Sequence, residues 1–405
     1  MTNYKSRLDL GPNIKRFACT YEHFYIISVV LAMGLLFFAN GDVADYDQVQ
    51  TAQGLGKVFY LPCGFALLLS FFIKKERNNA SRVINLLIVS CLISSLFNPP
   101  VKFNFMTWGT TRFVLAILCF KDLRFVNPKL LLYYFAIAGP FIVIPHYILT
   151  NPFSYGIYRY AGYYGDPNFL AIALNFLITT SYVSTKIFRN NKIIKYYAIT
   201  TIVGAVPLIL AGMSRAGIMG LSIVLFYAFI DIYKSSKSTF GLIIILMFLM
   251  SGYFVTSLGG IIENVFARFS NESDSDAGGA YARIDCILSV LNVLTNRPYL
   301  IPFGIGPGNT LAMISEYRQA GYYVNMAVHN TYFGILYEMG AICAMSYVAL
   351  IYKIFKNLYS HKMPIYWLLL IVTAFSLFTL PGTAFMPAWI LFFFMSNNRI
   401  QELKI

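Results

Sequence analysis

Five short stretches of this 405-residue chain carry residue types and spacings able to do chemistry. His329-Asn330 stands where a long polar segment enters an apolar block. Gly340 and Cys343 follow in that block, so the stretch reads H-N-x9-G-x-x-C. A histidine at a membrane boundary can serve as general base near neutral pH; an interfacial histidine bonded to a backbone carbonyl fits the same position. Asn330 and Gly334 lie one helical turn apart, and Glu338 follows two turns beyond Asn330 on nearly the same face.

Ser214-Arg215-Ala216-Gly217 joins two apolar blocks with almost no loop. Gly212, Ala216 and Gly220 recur every four residues, a small-residue face that permits close backbone approach. Arg215 is therefore expected in a crowded bundle, where a charge requires an anionic partner, either a protein carboxylate or a ligand. Arg283 begins a helical stretch inside the long polar segment, close to Asp285. Arg159 precedes Tyr160-Ala161-Gly162-Tyr163-Tyr164-Gly165-Asp166-Pro167-Asn168. There Asp166 reads as an N-cap and Pro167 as the first helical residue, which gives Asp166 a structural role and leaves Arg159 without one. Arg112 falls within an apolar block that cannot start much later than Phe103 and still cross. It either snorkels outward or adds to the same anion site.

The elements that must hold these residues are membrane spans. The chain is 58% hydrophobic, 17% aromatic and 12% charged, whereas a soluble domain has roughly a quarter of its residues charged. A soluble enzyme, a disordered chain and a disulfide scaffold are excluded. Spanning needs about 20 apolar residues. Spans are expected at Tyr21–Ala39, Lys57–Ile73, Val83–Phe97, Phe103–Phe120, Leu130–Leu149 and Asn168–Thr185. Others follow at Tyr196–Gly212, Ala216–Tyr233, Phe240–Leu258, Asn330–Tyr352, Pro364–Leu380 and Thr383–Ser396, about twelve in all. The last two leave only Pro381-Gly382 between them, which also suits a re-entrant hairpin. Lys5, Arg7, Lys15 and Arg16 precede the first block without a small-residue cleavage site, so that block reads as a retained span.

Counting basic residues sets the orientation. With the N-terminus inside, 22 of the 31 Lys and Arg fall on the inner side, and both termini are expected in the cytoplasm. The inner set holds 15 Lys and 7 Arg, the rest 2 Lys and 7 Arg. Topology needs positive charge alone, whereas the planar fork of Arg grips phosphate and carboxylate oxygens in pairs. Structural ion pairs would explain the bias; so would an outward site for an anionic, phosphorylated ligand. The +14 net charge is thus assigned to topology and this site, and no nucleic-acid partner is expected.

A segment of about seventy residues, Gly259–Ala327, interrupts the short loops. It holds the polar run Asn271 to Gly279 and a helical stretch near Tyr281–Thr295, with Ile284, Ile287, Leu288 and Leu291 on one face. The turn Gly304-Ile305-Gly306-Pro307-Gly308 must be tight and irregular. The chain thus divides into N-terminal spans (1–258), a large loop (259–329) and C-terminal spans (330–405). The triplets Asp45-Tyr46-Asp47 and Asp274-Ser275-Asp276 are the candidates for a divalent metal, but both sit in polar loops where such triplets are common. No metal site and no disulfide are expected, since C-x-x-C and paired Cys/His spacings are absent.

Arg159 through Asn168, the Ser214-to-Gly217 turn, Arg283 in a large outer loop, Gly304-Ile305-Gly306 and His329-Asn330-x9-Gly340 together resemble the O-antigen polymerase/O-antigen ligase family. The resemblance covers about Arg159 to Cys343. It implies a GT-C-like, all-α polytopic membrane protein with one long periplasmic loop containing short helices. It also implies a metal-independent, cofactor-free, inverting glycosyltransferase in the bacterial inner membrane, with its active site facing the periplasm. Such an enzyme polymerises undecaprenyl-pyrophosphate-linked oligosaccharide repeats into O-antigen or a related surface polysaccharide; the ligase sibling transfers the glycan to lipopolysaccharide core. By the family pattern Arg215 and Arg283 hold the pyrophosphate and His329 accepts the hydroxyl proton or orients the acceptor. Arg159, Arg112, Asn330 and Glu338 are further substrate-binding candidates, and a chain-length regulator is a candidate partner. Cys343 departs from the Gly or Thr common in the ligase branch, which leans the reading toward the polymerase. A lipid-linked sugar transporter is the reading from another class. It would be expected to show repeated halves and charges near the membrane midplane, and no repeat is found.

Overall fold

The computed structural model describes residues 12–39, 60–73, 75, 79–97, 109–150, 160–162, 167–235, 237, 280–307, 309, 328, 330–378 and 386–403. Helix is the regular structure throughout these residues, with no strand among them, and the chain is an all-α polytopic membrane protein. In lipid a lone segment can satisfy its backbone only as a helix. The helices are α1 (Pro12–Ala39), α2 (Tyr60–Ser70), α3 (Asn79–Phe97), α4 (Gly109–Phe120), α5 (Pro128–Thr150) and α6 (Pro167–Ile187). They continue with α7 (Lys192–Ala211), α8 (Arg215–Ser235), α9 (Ala280–Asn296), α10 (Thr331–Ser360), α11 (Pro364–Leu377) and α12 (Met386–Met395).

Among the described residues six helices are long and apolar enough to cross a membrane: α3, α5, α6, α7, α8 and α10. Each matches an expected span to within a turn at its start. The span expected at Phe240–Leu258 lies outside the described residues. The last expected span, Thr383–Ser396, is different in kind. Its described helix α12 has ten residues, about 15 Å by helical rise, and Ala388 to Met395 are all buried. A helix apolar all round with no exposed face is a core element. It packs inside the bundle and does not face lipid.

The bundle is built around α6, whose residues are buried along nearly its whole length. It contacts α5, α7, α8, α11 and α12. Lipid tails are as apolar as leucine, so close packing is what associates such helices, and small residues permit it. A Cβ on Gly139 of α5 would lie 2.1 Å from Thr201 Oγ1 of α7, and one on Gly204 of α7 would lie 2.7 Å from Val143 Cγ1 of α5. In α12, Trp389 meets Phe113 of α4 at 5.4 Å and Tyr347 of α10 at 5.6 Å, both edge to face. These aromatic contacts tie three helices at one point. After α12, Asn397 Nδ2 donates to the carbonyls of Leu123 (2.7 Å) and Val126 (2.9 Å), fastening the C-terminal turn to the α4–α5 connection.

Candidate functional site

The α7–α8 turn shows why Ser214-Arg215 needs no loop. Gly212 ends α7, and Met213 takes φ +47, a left-handed conformation that is uncommon for a residue with a side chain. That single residue reverses the chain. The Ser214 hydroxyl then accepts from Gly217 N (3.1 Å), capping α8, and donates to Asn168 Oδ1 (2.6 Å) at the start of α6. Arg215 is the first residue of α8 and is exposed.

The crowding expected around Arg215 falls on its neighbours instead. A Cβ on Gly217 would lie 2.3 Å from Ala171 Cβ of α6, and one on Gly220 2.7 Å from Asn175 Nδ2. Asn175 Nδ2 also donates to Gly217 O at 3.0 Å. Of the 212/216/220 stripe read from sequence, Gly212 and Gly220 are buried in close contact, a Cβ on Gly212 lying 3.2 Å from Tyr160 O, whereas Ala216 is half-buried and Gly217 takes its place against α6. Arg215 thus stands at the rim, on the positive end of the α8 dipole with its cap fixed from behind. Helix N-terminus and guanidinium there favour the same anion.

A second layer sits beside this turn. Tyr160 N donates to Ala211 O at 3.1 Å, and the Tyr160 hydroxyl lies 2.5 Å from Nδ1 of His146, a fully buried residue of α5. Gly162 has φ +56, and a Cβ there would lie 2.8 Å from His146 Cε1. Glycine is required both by the backbone angle and by the approach. His146 was missed by sequence reasoning. The available signal was an imidazole in the last turns of an uncharged span, where ionisable residues are rare.

The third part is a broken helix. Gly340 interrupts α10 with φ +84 and ψ +174, and the gap is filled by backbone from the segment after α9. Ile305 N donates to Tyr337 O (2.9 Å), Gly306 N to Glu338 O (2.9 Å) and Ala341 N to Ile301 O (2.7 Å). Gly304 and Gly306 also have positive φ, +72 and +91. A Cβ on Gly340 would meet Pro302 O at 2.2 Å, and one on Gly304 would meet Glu338 O at 2.5 Å. The two motif fragments, separate in sequence, are therefore a pair of backbones in contact. Irregular backbone is tolerated at membrane depth where protein buries it and restores its hydrogen bonds.

Among the expected site residues, Arg215, Asn330 and Glu338 have described side chains. Asn330 is the N-cap of α10: its Oδ1 accepts from Tyr332 N (3.0 Å) and Phe333 N (3.1 Å). Its buried Nδ2 has no hydrogen-bond partner among the described residues. Glu338 is half-buried, and its carbonyl also accepts from Ser94 Oγ of α3 at 2.9 Å. The α8 and α10 starts are linked through α11: Val372 abuts Gly220, while Ala374 O accepts from Tyr332 Oη at 2.9 Å. Arg112 lies in the first turn of α4 as described and Arg283 in that of α9, but their side chains lie outside the described residues, as do His329 and Arg159 entirely. Both D-x-D triplets lie outside them too. Among the described residues no group of three His, Cys, Asp or Glu could hold a metal. The described cysteines 63, 91, 119, 286 and 343 are buried thiols, with no disulfide among them. Cys343 Sγ faces α3, 3.9 Å from Leu87 O.

Residues 200–348 match the family model described as O-Antigen ligase. The match runs from within α7, through the capped Arg215 turn and α9, to the part of α10 just beyond its break. No curated protein gives a significant match to the chain.

Proposed function

With an O-antigen ligase family domain over residues 200–348 placing the chain in the O-antigen polymerase/ligase family, we propose that it is a metal-independent inverting glycosyltransferase. It polymerises undecaprenyl-pyrophosphate-linked oligosaccharide repeats at the periplasmic face of the bacterial inner membrane, with both termini in the cytoplasm and 259–329 as the periplasmic loop. The observation that carries this reading is Arg215, exposed in the first turn of α8 with its cap held by Asn168.

In the proposed reaction an acceptor sugar hydroxyl attacks the anomeric carbon from the face opposite the pyrophosphate. The new C–O bond forms as the bond to lipid pyrophosphate breaks, inverting the centre, and the hydroxyl proton passes to His329. Negative charge grows on the leaving pyrophosphate, so preorganised cations lower the barrier. Arg215 and Arg283 supply it, with the N-terminal dipole of α8 behind Arg215. Arg159 and Arg112 extend the anion site, and Asn330 and Glu338, at the cap and within α10, are further substrate-binding residues. Closure over the site by part of the long loop would exclude water.

The family description itself favours the sibling reading, an O-antigen ligase acting on lipopolysaccharide core. Cys343 packs against α3, and a residue in that position is weak ground for preferring the polymerase. Deleting the gene and resolving surface glycans on a gel separates the readings. Single-repeat glycan is the expected result. Free lipid-linked polymer would mean the ligase, and absence of exported repeats would mean a transporter. Purified protein should keep its activity in EDTA; loss restored by Mg²⁺ or Mn²⁺ would overturn the metal-independent mechanism.

A further inference from the structure

The helix α9 is apolar on two opposite faces. One face, with Cys286, Ser289, Val290, Val293 and Leu294, is buried. Its valines and Leu294 pack with Leu300 and Ile305 of the segment that fills the α10 break, with Val328, and with Tyr337 of α10 itself. The other face carries Ile284, Leu288 and Leu291, the stripe legible in the sequence, and it is exposed: Ile284 and Leu288 at 52% each. A helix on a water-soluble surface shows polar residues there, whereas one apolar all round belongs inside protein or in lipid. From Ile284 to Asn296 the single charged residue is Asp285.

Three further observations choose the occupant. The apolar surface continues past the helix through Tyr299, 70% exposed, and Ile301. It then reaches Phe303, whose ring stacks on Phe97 at 5.1 Å. Phe97 and Leu96, the latter 82% exposed, end the lipid-facing stripe of α3 (Leu86, Val89 and Leu92), one of the helices able to span. Two polar side chains beside the α9 stripe bond back to their own helix: Thr295 Oγ1 to Leu291 O (2.8 Å) and Asn296 Nδ2 to Asn292 O (2.9 Å). That is how polar groups are satisfied where water is scarce. Finally, α9 has 17 residues, about 25 Å by helical rise, too short to cross a core of about 30 Å.

We infer that α9 and the turn after it rest in the bilayer, with Ile284, Leu288, Leu291, Tyr299 and Ile301 against the acyl chains of the leaflet at the Phe97 end of α3. The segment 280–303 is then part of the lipid-facing wall, not a lid moving through water. Lipid anchoring fixes the backbone that fills the α10 break, since Ile301 both contacts lipid and accepts from Ala341 N. This holds whichever glycan chemistry the protein performs.

The test uses the full chain in liposomes containing lipids brominated at mid-chain, which quench tryptophan by contact. Emission added by Leu288→Trp and by Tyr299→Trp is measured against the parent protein. Phe226→Trp, on the exposed side of α8, is the lipid standard, and Asn190→Trp in the α6–α7 turn is the water standard. Leu288→Trp should lose its added emission to the same extent as Phe226→Trp and resist acrylamide; Ile284→Trp replaces it if it does not fold. Quenching by acrylamide with none by bromolipid would mean that the face meets water. Protection from both would mean that it is covered by protein, another part of this chain or a second copy. Either result overturns the inference.

Discussion

At the end of the bundle where α6 runs into α7, basic residues meet carboxylates. Lys186 Nζ lies 2.6 Å from Asp231, which also accepts from Tyr182 Oη at 2.5 Å; Lys75 lies 3.5 Å from Asp122, and Arg399 Nε 2.6 Å from Glu402. At the other end the distinctive feature is backbone. Gly162, Met213, Gly304, Gly306 and Gly340 all have positive φ there, against Lys362 alone among described residues at the ion-paired end. The contrast separates two uses of the same residue types. Lysines at the first end are anchored by charge partners that any geometry within reach can satisfy. At the second end the chain is bent into conformations that cost energy, and what those bends present is a capped helix start and a helix break closed by the backbone of another segment. Strain of this sort persists where the surroundings over-determine it and clusters at functional sites.

The comparison breaks if charge matters equally at both ends. The largest effect is expected at Arg215: Arg215→Ala should cost about 3 kcal/mol of transition-state stabilisation, roughly a hundredfold in rate. Arg215→Lys should be nearly as damaging, since a point charge does not replace a bidentate fork. Lys195→Arg at the other end should be silent. Glycan ladder formation by purified protein at matched expression measures all three, and near wild-type polymerisation by Arg215→Lys would remove Arg215 from the site.

Next in size is Gly340→Ala. The new Cβ meets Pro302 O at 2.2 Å and the residue must hold φ +84, so a loss of about 1–3 kcal/mol from the backbone alone is expected. The melting temperature in detergent should fall and activity with it. Gly64→Ala in α2, where a Cβ meets nothing within 4 Å, should gain about 0.5–1 kcal/mol instead. Equal effects at the two glycines would mean that the break is not a defined structure.

Asn330 sharpens the reading further. Asn330→Ala removes the cap of α10 and should cost about 1 kcal/mol in stability. Asn330→Asp keeps the accepting oxygen and should restore the melting temperature. It loses the buried Nδ2 donor, so activity that stays low in this variant assigns the donor to substrate, and activity that returns assigns Asn330 to capping alone.

The smallest effect is expected at Asp122 in the α4–α5 connection. Burial raises its carboxyl above the usual range, and Lys75, Lys121 and Arg124 offset this in part. A folded-state pKa above the unfolded one means that the group's contribution is complete below the unfolded pKa and declines as pH rises through the folded value. Asp122→Asn should therefore raise the melting temperature slightly at pH 8, with the gain vanishing toward pH 4. A fall at pH 8 would show that the Lys75 pair outweighs the burial.

Much of this architecture is readable in one dimension. The spans around Val83–Phe97, Leu130–Leu149 and Asn168–Thr185 emerge at the same places in the fold, because an apolar run of spanning length has few alternatives in lipid. Pro167 begins α6 and the helix near Tyr281–Thr295 forms as Ala280–Asn296, since both follow from local preferences. His146 was not readable in this way, because its partners Tyr160 and Gly162 approach it from a different segment. Nor was the burial of α12, whose composition is that of any apolar span. The stripe of Ile284, Leu288 and Leu291 was visible, but not that the opposite face is the one packed on protein.

The amino-acid sequence by itself determined the all-α membrane class, most helix positions, the uneven distribution of lysine and arginine, and the motif fragments around Arg215, Gly304 and Gly340. The helix positions and motif fragments depend on windows of about 20 residues or fewer, matched to the thickness of a bilayer, and the charge bias on a simple count along the chain. The tertiary structure decided which fragments meet. A glycine in a helix reads as a modest loss of propensity. Only the arrival of Pro302 and Phe303 at van der Waals distance, some forty residues away in the chain, turns Gly340 into a break that the backbone of another segment completes. Close approach of backbones is a property of pairs, and no single stretch of sequence contains it.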